Sequence, residues 1–261
     1  MTNMSELPNY DFAGTTVMIT GSGQGIAASA AQAFAQRGAR VGVCDRHADR
    51  AAATVKAIED AGGKAIALTV DVGVEADVMR AAAALKEAFG PIGVLVNGAG
   101  SYGKSFQVTH ETPVEEWDDV YASNVRGTFL CAKAVLPQML EAGKGRIVNI
   151  SSNAGRHVSP LLGCSYTSAK AAVIGISRHL AHEYARKGIV VNTLCPGPVD
   201  GQRVSHLVET GRMNSNLADA IPIGRLGTNE DIVAAILFLA AESSGYMTGA
   251  VLDVSGGLIL A

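Results

Sequence analysis

The stretch VMITGSGQGIAAS, from Val17 to Ser29, places three glycines at alternate positions, Gly21, Gly23 and Gly25. The β-branched and apolar residues before these glycines predict a strand, and the alanine-rich residues after them predict a helix. Glycine lets the backbone approach a phosphate closely, and a helix N-terminus offers free N–H groups to an anion. Because the chain contains 30 glycines, this cluster alone does not distinguish a nucleotide-binding loop from a flexible turn.

Two phosphate-binding patterns can be aligned with this loop. The common pattern G-x-G-x-x-G/A fits Gly23, Gly25 and Ala28. The looser pattern T-G-x-x-x-G-x-G fits Thr20, Gly21 and Gly25 but lacks its last glycine. In both alignments the loop follows the first predicted strand and begins a helix, which is the context that pyrophosphate binding requires.

Short apolar runs alternate with longer segments of helical period along the rest of the chain. We predict strands at residues 15–20, 40–45, 65–71, 94–97, 146–151, 189–194 and 250–254. We predict helices near residues 26–37, 48–61, 75–89, 115–142, 165–187 and 229–242. Several predicted strands are apolar throughout, as expected of parallel strands covered on both faces. The alternation predicts an α/β fold with a doubly wound (Rossmann) parallel sheet, three layers in α/β/α order, and one domain over residues 1–261.

Charge and composition argue against several classes of protein. The net charge is −3 and the pI is about 6.1, so the chain has no basic footprint for nucleic acid or anionic lipid. The N-terminal residues lack the layout of a signal peptide, and the longest apolar run, residues 232–241, is much shorter than the ~20 residues of a membrane span. The four cysteines form no C-x-x-C pair, which favours free thiols. We therefore expect a cytoplasmic protein without a nucleic-acid or membrane partner.

Asp45, at the end of the second predicted strand, favours a nucleotide over a plain turn. It lies 20 residues after Gly25, where a carboxylate can bond both hydroxyls of an adenosine ribose. The same carboxylate would repel a 2′-phosphate, so it favours NAD over NADP. Arg46 is the complication, because a guanidinium at this position could accept that phosphate. NADP is therefore the alternative cofactor.

Tyr166 and Lys170 are four residues apart in a predicted helix, which places both on one face. A nearby ammonium stabilises a phenolate and lowers the tyrosine pKa from its ordinary value near ~10, so the hydroxyl becomes a usable acid or base near neutral pH. Ser151 and Ser152 end the preceding strand, where a serine hydroxyl can hold a carbonyl oxygen beside the tyrosine. Asn124 lies within a predicted helix, in which asparagine is unfavourable, and this suggests a specific role.

Together these residues resemble the short-chain dehydrogenase/reductase family, and the resemblance extends from about residue 12 to residue 257. No single motif is specific, but their order and spacing are. The matching motifs are Thr20-Gly21-x-x-x-Gly25, Asp71-Val72, Asn97-x-Ala99-Gly100, Asn124, Ser152, Tyr166-x-x-x-Lys170, Pro196-Gly197 and Ser255-Gly256-Gly257.

The resemblance implies an oxidoreductase that interconverts a secondary alcohol and a ketone on a small or medium substrate. It implies Tyr166 as the general acid/base and Lys170 as the group that binds the nicotinamide ribose and lowers the tyrosine pKa. It also implies that Ser152 orients the carbonyl and that Asn124 holds a water relaying protons through Lys170. The implied cofactor contacts are Gly21, Gln24, Gly25, Ile26, Asp45, Arg46, Asp71, Val72, Asn97, Ala99, Gly100, Tyr166, Lys170, Pro196, Gly197 and Val199.

Two alternatives to an NAD-dependent enzyme stay open. The first is an NADPH-dependent carbonyl or 3-oxoacyl reductase, for which Arg46 is the main argument. The second is a nucleotide-sensing protein that has lost catalysis, although such a chain should lack Tyr166 or Lys170.

The chain departs from the family's usual residues at four positions. Ala27 replaces the last glycine of the loop, and Gly98 stands where a second asparagine is common. Gly201 stands where a threonine often holds the nicotinamide carboxamide, and Ser255 stands where aspartate is common. None of these changes removes a catalytic group, and Gly201 is the one that could weaken or reorient cofactor binding.

Residues 198–225 form a long polar stretch after a strand, and we predict that they form a substrate lid at about these bounds. This stretch carries Arg203, His206, Glu209 and Arg212. They fit either a polar or anionic substrate or a solvated face. Arg156 and His157, just after the serine strand, fit either a substrate contact or a surface loop.

His179, His182 and Glu183 are close in sequence, but no distant third ligand accompanies them, so we predict no metal site. Trp117 and Phe129 are predicted core residues. The helices near 115–142 and 165–187 have small-residue faces, and the resemblance implies that they pair between subunits in a homotetramer or homodimer.

Overall fold

A computed structural model describes residues 10–104, 108–159, 161–201 and 217–260 of the protein. Seven parallel strands form one sheet within these residues. The strands are β1 (Thr16–Thr20), β2 (Arg40–Asp45), β3 (Lys64–Thr69), β4 (Ile92–Asn97), β5 (Gly145–Ile150), β6 (Ile189–Pro196) and β7 (Val251–Val254). The helices are α1 (Gly25–Ala35), α2 (Ala48–Asp60), α3 (Glu75–Phe89), α4 (Val114–Tyr121), α5 (Gly127–Ala142), α6 (Cys164–Tyr184) and α7 (Asn229–Ala240).

The strand order is β3-β2-β1-β4-β5-β6-β7, so the chain builds the sheet outward in two directions from β1 and β4. This order confirms the predicted doubly wound Rossmann sheet. In such sheets the crevice between the two central strands, at their carboxyl ends, is where ligands bind.

The sheet is covered by helices on both faces, which explains why its central strands are apolar throughout. Val17 and Ile19 of β1 belong to a core that contains Phe34 of α1 and Ile236 of α7. Met18, between them, faces the opposite core with Leu85 of α3, Val135 of α5 and neighbouring strands. A one-residue change of register would therefore exchange the two cores.

The predicted helix at 115–142 is not uniform. Residues Ala122–Arg126 form a π-helical turn between α4 and α5, and Asn124 lies at its centre. A single π turn within a helix usually marks a functional position.

Phe129 is a correction to the predicted core. It is 51% exposed, because the buried face of α5 is formed by residues such as Leu130, Cys131 and Val135. Trp117 is partly buried and stacks on Tyr121, with ring centroids 4.8 Å apart.

The predicted lid at 198–225 lies partly outside the described residues, since 202–216 are not among them. Of the described part, Val199 pairs with Gly227 in an isolated bridge, and Leu217–Ala220 form a 3₁₀ turn. Within the described residues no helix has both the length and the apolar character that crossing a bilayer requires.

Candidate active site

The glycine loop lies at the carboxyl edge of the sheet, directly against the segment that follows β4. A Cβ at Gly21 would lie 2.8 Å from Ala99 Cα, so only glycine fits here. Thr20 Oγ1 accepts hydrogen bonds from the backbone N–H groups of Gly98 and Ala99, both at 3.1 Å. These hydrogen bonds join the two predicted motifs, from residues up to 79 positions apart, at the crevice between β1 and β4.

The beginning of α1 has the features that a pyrophosphate site needs. Gln24 is the N-cap residue, its side chain makes no capping hydrogen bond, and the first turn contains no acidic residue. Gly25 has a positive φ of 59°, and a Cβ there would meet no atom of the described residues within 4 Å. Ile26 anchors the turn by packing against the core. The free N–H groups and the positive end of the helix dipole are thus accessible to an anion.

Asp45 is held beside the glycine loop. Its carboxylate accepts hydrogen bonds from Gly23 N at 3.0 Å and from His47 N at 2.9 Å. Only 8% of Asp45 is exposed, so it is not a solvated surface carboxylate. Arg46 is exposed, and its Nε lies 3.2 Å from His47 Nε2.

Arg50 is a residue near this site that the sequence motifs did not identify. A Cβ at Gly23 would lie 2.7 Å from Arg50 Cβ and 2.7 Å from Asp45 Oδ2. The first turn of α2 therefore brings a second arginine against the glycine loop. Arg50 lies five residues after Asp45 on the helix that follows β2, and no local pattern in the sequence indicates its contact with the loop.

The segment after β3 and the end of β4 are both fixed by specific contacts. Asp71 Oδ1 accepts a hydrogen bond from Gly73 N at 2.9 Å. Val72 packs against Gly127, where a Cβ would lie 2.6 Å from a methyl carbon of the valine. Asn97 Nδ2 donates to Asn149 Oδ1 at 2.8 Å, which joins β4 to β5. Asn97 Oδ1 is buried and accepts no hydrogen bond from the described residues.

Asn124 is buried in the π turn, with 1% of its surface exposed. Its Nδ2 donates to Ser101 O at 2.7 Å and to Val120 O at 2.9 Å. Its Oδ1 has no partner among the described residues, and a Cβ at Gly100 would overlap it. The glycine at position 100 is therefore required by the Asn124 amide.

Tyr166 and Lys170 lie together in the first two turns of α6. Both are buried, with 5% and 6% of their surface exposed. Lys170 Nζ lies 5.6 Å from the Tyr166 ring centroid and donates to Ile150 O, at the end of β5, at 2.9 Å. The tyrosine packs in a small cluster with Val120 and Ala154.

Ser152 is carried by a turn that packs on α6 beside Lys170. Its Oγ accepts a hydrogen bond from Ala154 N at 3.2 Å. Ser151 Oγ donates to Lys170 O at 2.7 Å, and a Cβ at Gly155 would lie 2.6 Å from the Lys170 carbonyl carbon. Predicted catalytic residues from two different segments are thus brought to the same edge of the sheet.

The end of β6 completes this edge. Gly197 N donates to Val254 O at 2.9 Å, and a Cβ at Gly197 would lie 2.8 Å from Ser255 Cα. Pro196 is buried, and no atom of the described residues lies within 4 Å of where a Cβ at Gly201 would project. Burial raises the pKa of the neighbouring Cys195 thiol to about 11, so this thiol is neutral.

The histidine group on α6 is spread along an exposed face. His179 Nε2 lies 3.6 Å from Glu183 Oε2, with 78% of the histidine side chain exposed. Across the described ranges no group of three potential ligands could hold a metal ion.

Comparison with known proteins assigns the family. A family model described as enoyl-(acyl carrier protein) reductase matches residues 21–259. Galactitol 2-dehydrogenase (L-tagatose-forming) of Cereibacter sphaeroides is 38% identical over 245 residues, which are 94% of this chain and 94% of the relative. A 3-oxoacyl-[acyl-carrier protein] reductase from Brucella melitensis, solved with bound NAD, is 32% identical to this chain, with a TM-score of 0.88. The match covers 100% of this chain and 97% of the reductase chain.

A second solved structure contains the other nicotinamide cofactor. It is provisionally named an NAD(P)-dependent gluconate 5-dehydrogenase, comes from Beutenbergia cavernae, and holds NADP at low occupancy. It is 31% identical to this chain, with a TM-score of 0.89, and the match covers 96% of this chain and 99% of the Beutenbergia chain. The chain belongs to the short-chain dehydrogenase/reductase family of oxidoreductases.

Proposed function

We propose that the protein is an NAD-dependent oxidoreductase that interconverts a secondary alcohol and a ketone. The observation that carries this proposal is the position of Tyr166, Lys170 and Ser152 at the same sheet edge as the glycine loop. Tyr166 and Lys170 are buried on α6, and the Ser152 turn packs on the backbone of that helix. A proton donor, a cation and a hydroxyl held in this way suit chemistry at a carbonyl group.

Tyr166 acts as the acid in ketone reduction and as the base in alcohol oxidation. Its hydroxyl gives a proton to the ketone oxygen and takes that proton back from the alcohol. Lys170 stabilises the phenolate, because its ammonium lies 5.6 Å from the ring centroid in a buried setting where charges interact strongly. Ser152 donates a hydrogen bond to the same oxygen and so orients the carbonyl. Asn124 holds a water through which the proton passes by way of Lys170.

The residues of this edge fit a nicotinamide dinucleotide, which supplies the hydride donor or acceptor when it is bound. The uncapped beginning of α1 binds its pyrophosphate, and Asp45 binds the adenosine ribose. Asp71 and Val72 flank the adenine, Lys170 binds the nicotinamide ribose, and the remaining contacts lie on the segments after β4 and β6. These remaining contacts are Asn97, Ala99, Gly100, Pro196, Gly197 and Val199.

NAD is the proposed cofactor because Asp45 is buried beside Gly23 and would repel a 2′-phosphate. The second candidate is an NADPH-dependent carbonyl or 3-oxoacyl reductase. Its support is the pair Arg46 and Arg50, since both belong to the loop and helix that follow Asp45. A non-catalytic nucleotide sensor has less support, because the chain keeps both Tyr166 and Lys170.

Initial rates with NAD and NADP, measured against sugars, hydroxy acids, steroids and aliphatic alcohols, test this proposal. We expect turnover of a secondary alcohol, with kcat/KM at least ~10-fold higher for NAD than for NADP, a ratio that corresponds to about 1.4 kcal/mol of charge repulsion. Asp45→Ser should remove most of this preference, whereas Asp60→Ser, at the distant end of α2, should leave it unchanged. A preference of the wild-type protein for NADP would contradict the role of Asp45.

We also propose that the protein is a homotetramer or homodimer through α5 and α6. The exposed Phe129 on α5 supports such an interface, since a half-exposed aromatic side chain on a small-residue helix is suited to packing against a second copy.

A further inference from the structure

Arg156 and Asp253 form an ion pair between the Ser152 turn and the end of β7. Arg156 Nη1 donates to Asp253 Oδ2. Both side chains are largely buried, with 24% and 15% of their surface exposed. Arg156 directly follows the 3₁₀ turn Asn153–Gly155, and Asp253 pairs with Cys195 across the β6–β7 ladder.

This ion pair differs from the exposed pairs of the molecule. Asp253 Oδ1 is buried and accepts no hydrogen bond from the described residues. The neighbouring Cys195 thiol is neutral, because burial raises its pKa to about 11. Arg156 therefore supplies the positive charge that compensates the Asp253 carboxylate, and a buried carboxylate left without such a partner is strongly unfavourable.

The ion pair attaches the far end of the Ser152 turn, which other contacts hold at its start and middle. At the start of the turn, Ser151 Oγ donates to Lys170 O at 2.7 Å. In its middle, Gly155 packs directly on the Lys170 backbone. The start of the turn is also attached to the sheet, because Ser151 N donates to Leu194 O of β6 at 2.8 Å. These contacts hold the start and the middle of the turn, and Arg156 attaches its other end to β7.

The strand that Arg156 contacts also supports the end of β6. Gly197 N donates to Val254 O at 2.9 Å, and Gly197 packs against Ser255. Residues 253–255 are therefore in contact with both the serine turn and the Gly197 segment. This arrangement fixes the distance between the group that orients the carbonyl and the residues proposed to contact the cofactor.

We propose that Arg156 and Asp253 are positioning residues that hold Ser152 in place relative to Tyr166 and the Gly197 segment. The inference rests on the role of Ser152 in the proposed function. A displacement of about 1 Å in a catalytic group can lower the rate ~100-fold, so a looser turn lowers kcat. Cofactor affinity depends on other segments and stays unchanged.

Four variants and one control test the proposal. Arg156→Met breaks the ion pair, and Arg156→Lys keeps a charge that can reach Asp253. The double variant Arg156→Met/Asp253→Leu removes both charges, so it keeps the test valid if the single variant does not fold. Arg156→Met in a Ser152→Ala background shows whether the arginine acts through the serine. Arg80→Met is the control, because it breaks an arginine–aspartate pair of 2.8 Å that is more exposed and lies within α3.

We expect Arg156→Met and the double variant to lower kcat ~10-fold or more, with less than a ~2-fold change in the NADH dissociation constant. In the Ser152→Ala background the same change should alter kcat less than ~2-fold, since the group being positioned is absent. Arg156→Lys should recover most of the rate, and Arg80→Met should keep it. An equal loss of kcat in both backgrounds would overturn the proposal.

Hydrogen exchange gives a readout that does not require turnover. The amides of Ala154, Gly155, Arg156 and His157 are all hydrogen-bonded within the turn. We expect them to exchange at least ~10-fold faster in Arg156→Met and in the double variant, while α6 amides are unchanged. Unchanged exchange in the turn would overturn the anchoring role, whereas faster exchange with no effect of Ser152→Ala on turnover would instead contradict the proposed role of the serine.

Discussion

At the scale of single residues, Ala27 and Gly98 lie against each other. A Cβ at Gly98 would lie 3.0 Å from Ala27 Cβ and 2.8 Å from Thr20 O. A side chain at position 98 would therefore be crowded by the Thr20 backbone oxygen and by the Ala27 methyl group. Ala27 and Gly98 both depart from the usual family residues, and they look independent in the sequence. In the structure they pack against each other next to the glycine loop.

This contact predicts that the two positions are energetically coupled. Gly98→Ala should lower the free energy of unfolding by about 1–3 kcal/mol, because the added methyl group is overpacked. Ala27→Gly should lower the free energy of unfolding of the wild-type protein by about 1 kcal/mol. In the Gly98→Ala background the same change should lower it by at least ~0.5 kcal/mol less. Urea unfolding of the two single variants and the double variant measures the coupling. Strictly additive effects would show that the two residues are not in contact.

Other residue-scale features could not be predicted from the sequence, and the reason is geometric. Asp45 was identifiable because it ends a strand at a fixed interval after the glycine loop. Arg50 was not, because its contact with the loop depends on how α2 crosses the sheet. Phe129 is predicted to be a core residue but is 51% exposed, since an apolar residue in an alanine-rich helix gives no strong periodic signal.

At the scale of elements, the beginning of α7 is fixed by a capping box and an ion pair. Thr228 Oγ1 accepts a hydrogen bond from Asp231 N at 3.3 Å, and Thr228 N donates to Asp231 Oδ2 at 2.8 Å. Arg225 donates to both carboxylate oxygens of Asp231, at 2.6 and 3.0 Å. These hydrogen bonds from Arg225 lower the pKa of Asp231 to about 2.

The lowered pKa predicts a pH-dependent contribution to stability. Because the folded-state pKa lies below the unfolded value of ~3.9, the stabilisation is present above pH ~4 and is lost as the pH falls towards 2. Asp231→Asn should therefore lower the free energy of unfolding by about 0.5–1 kcal/mol at pH 7, and its difference from wild type should shrink below pH ~4. Thermal unfolding from pH 7 to pH 3 measures this. Asp60→Asn is the control, since it breaks the exposed Lys56–Asp60 pair, and an equal loss in both variants would contradict the capping role.

The long helical segment before β5 shows where local sequence patterns stop being informative. Its helical period correctly predicts residues in α4 and α5, but the π turn between them depends on contacts from elsewhere. Asn124 bonds to Ser101 O after β4 as well as to Val120 O within the helix. Asparagine in a predicted helix indicated something unusual at this position, although not the form it takes.

At the scale of the whole molecule, the proposed site is a consequence of sheet topology. Five parallel strands deliver their motifs to one edge: the glycine loop after β1, Asp45 at the end of β2, Asn97 at the end of β4, the serine turn after β5 and Gly197 after β6. This edge was predictable because each motif follows an apolar run. The Arg156–Asp253 contact was not, because it joins residues 97 positions apart whose proximity depends on the order of β5, β6 and β7.

The most direct test of the account is the turnover of Tyr166→Phe together with its affinity for NADH. The central claim is that this hydroxyl carries the proton, whereas most of the cofactor affinity comes from other groups. We predict that the variant loses at least ~100-fold in kcat, with an NADH dissociation constant within ~2-fold of wild type. Tyr184→Phe, the same change at the end of α6, should keep both values. Turnover of Tyr166→Phe equal to that of the wild-type protein would contradict the account.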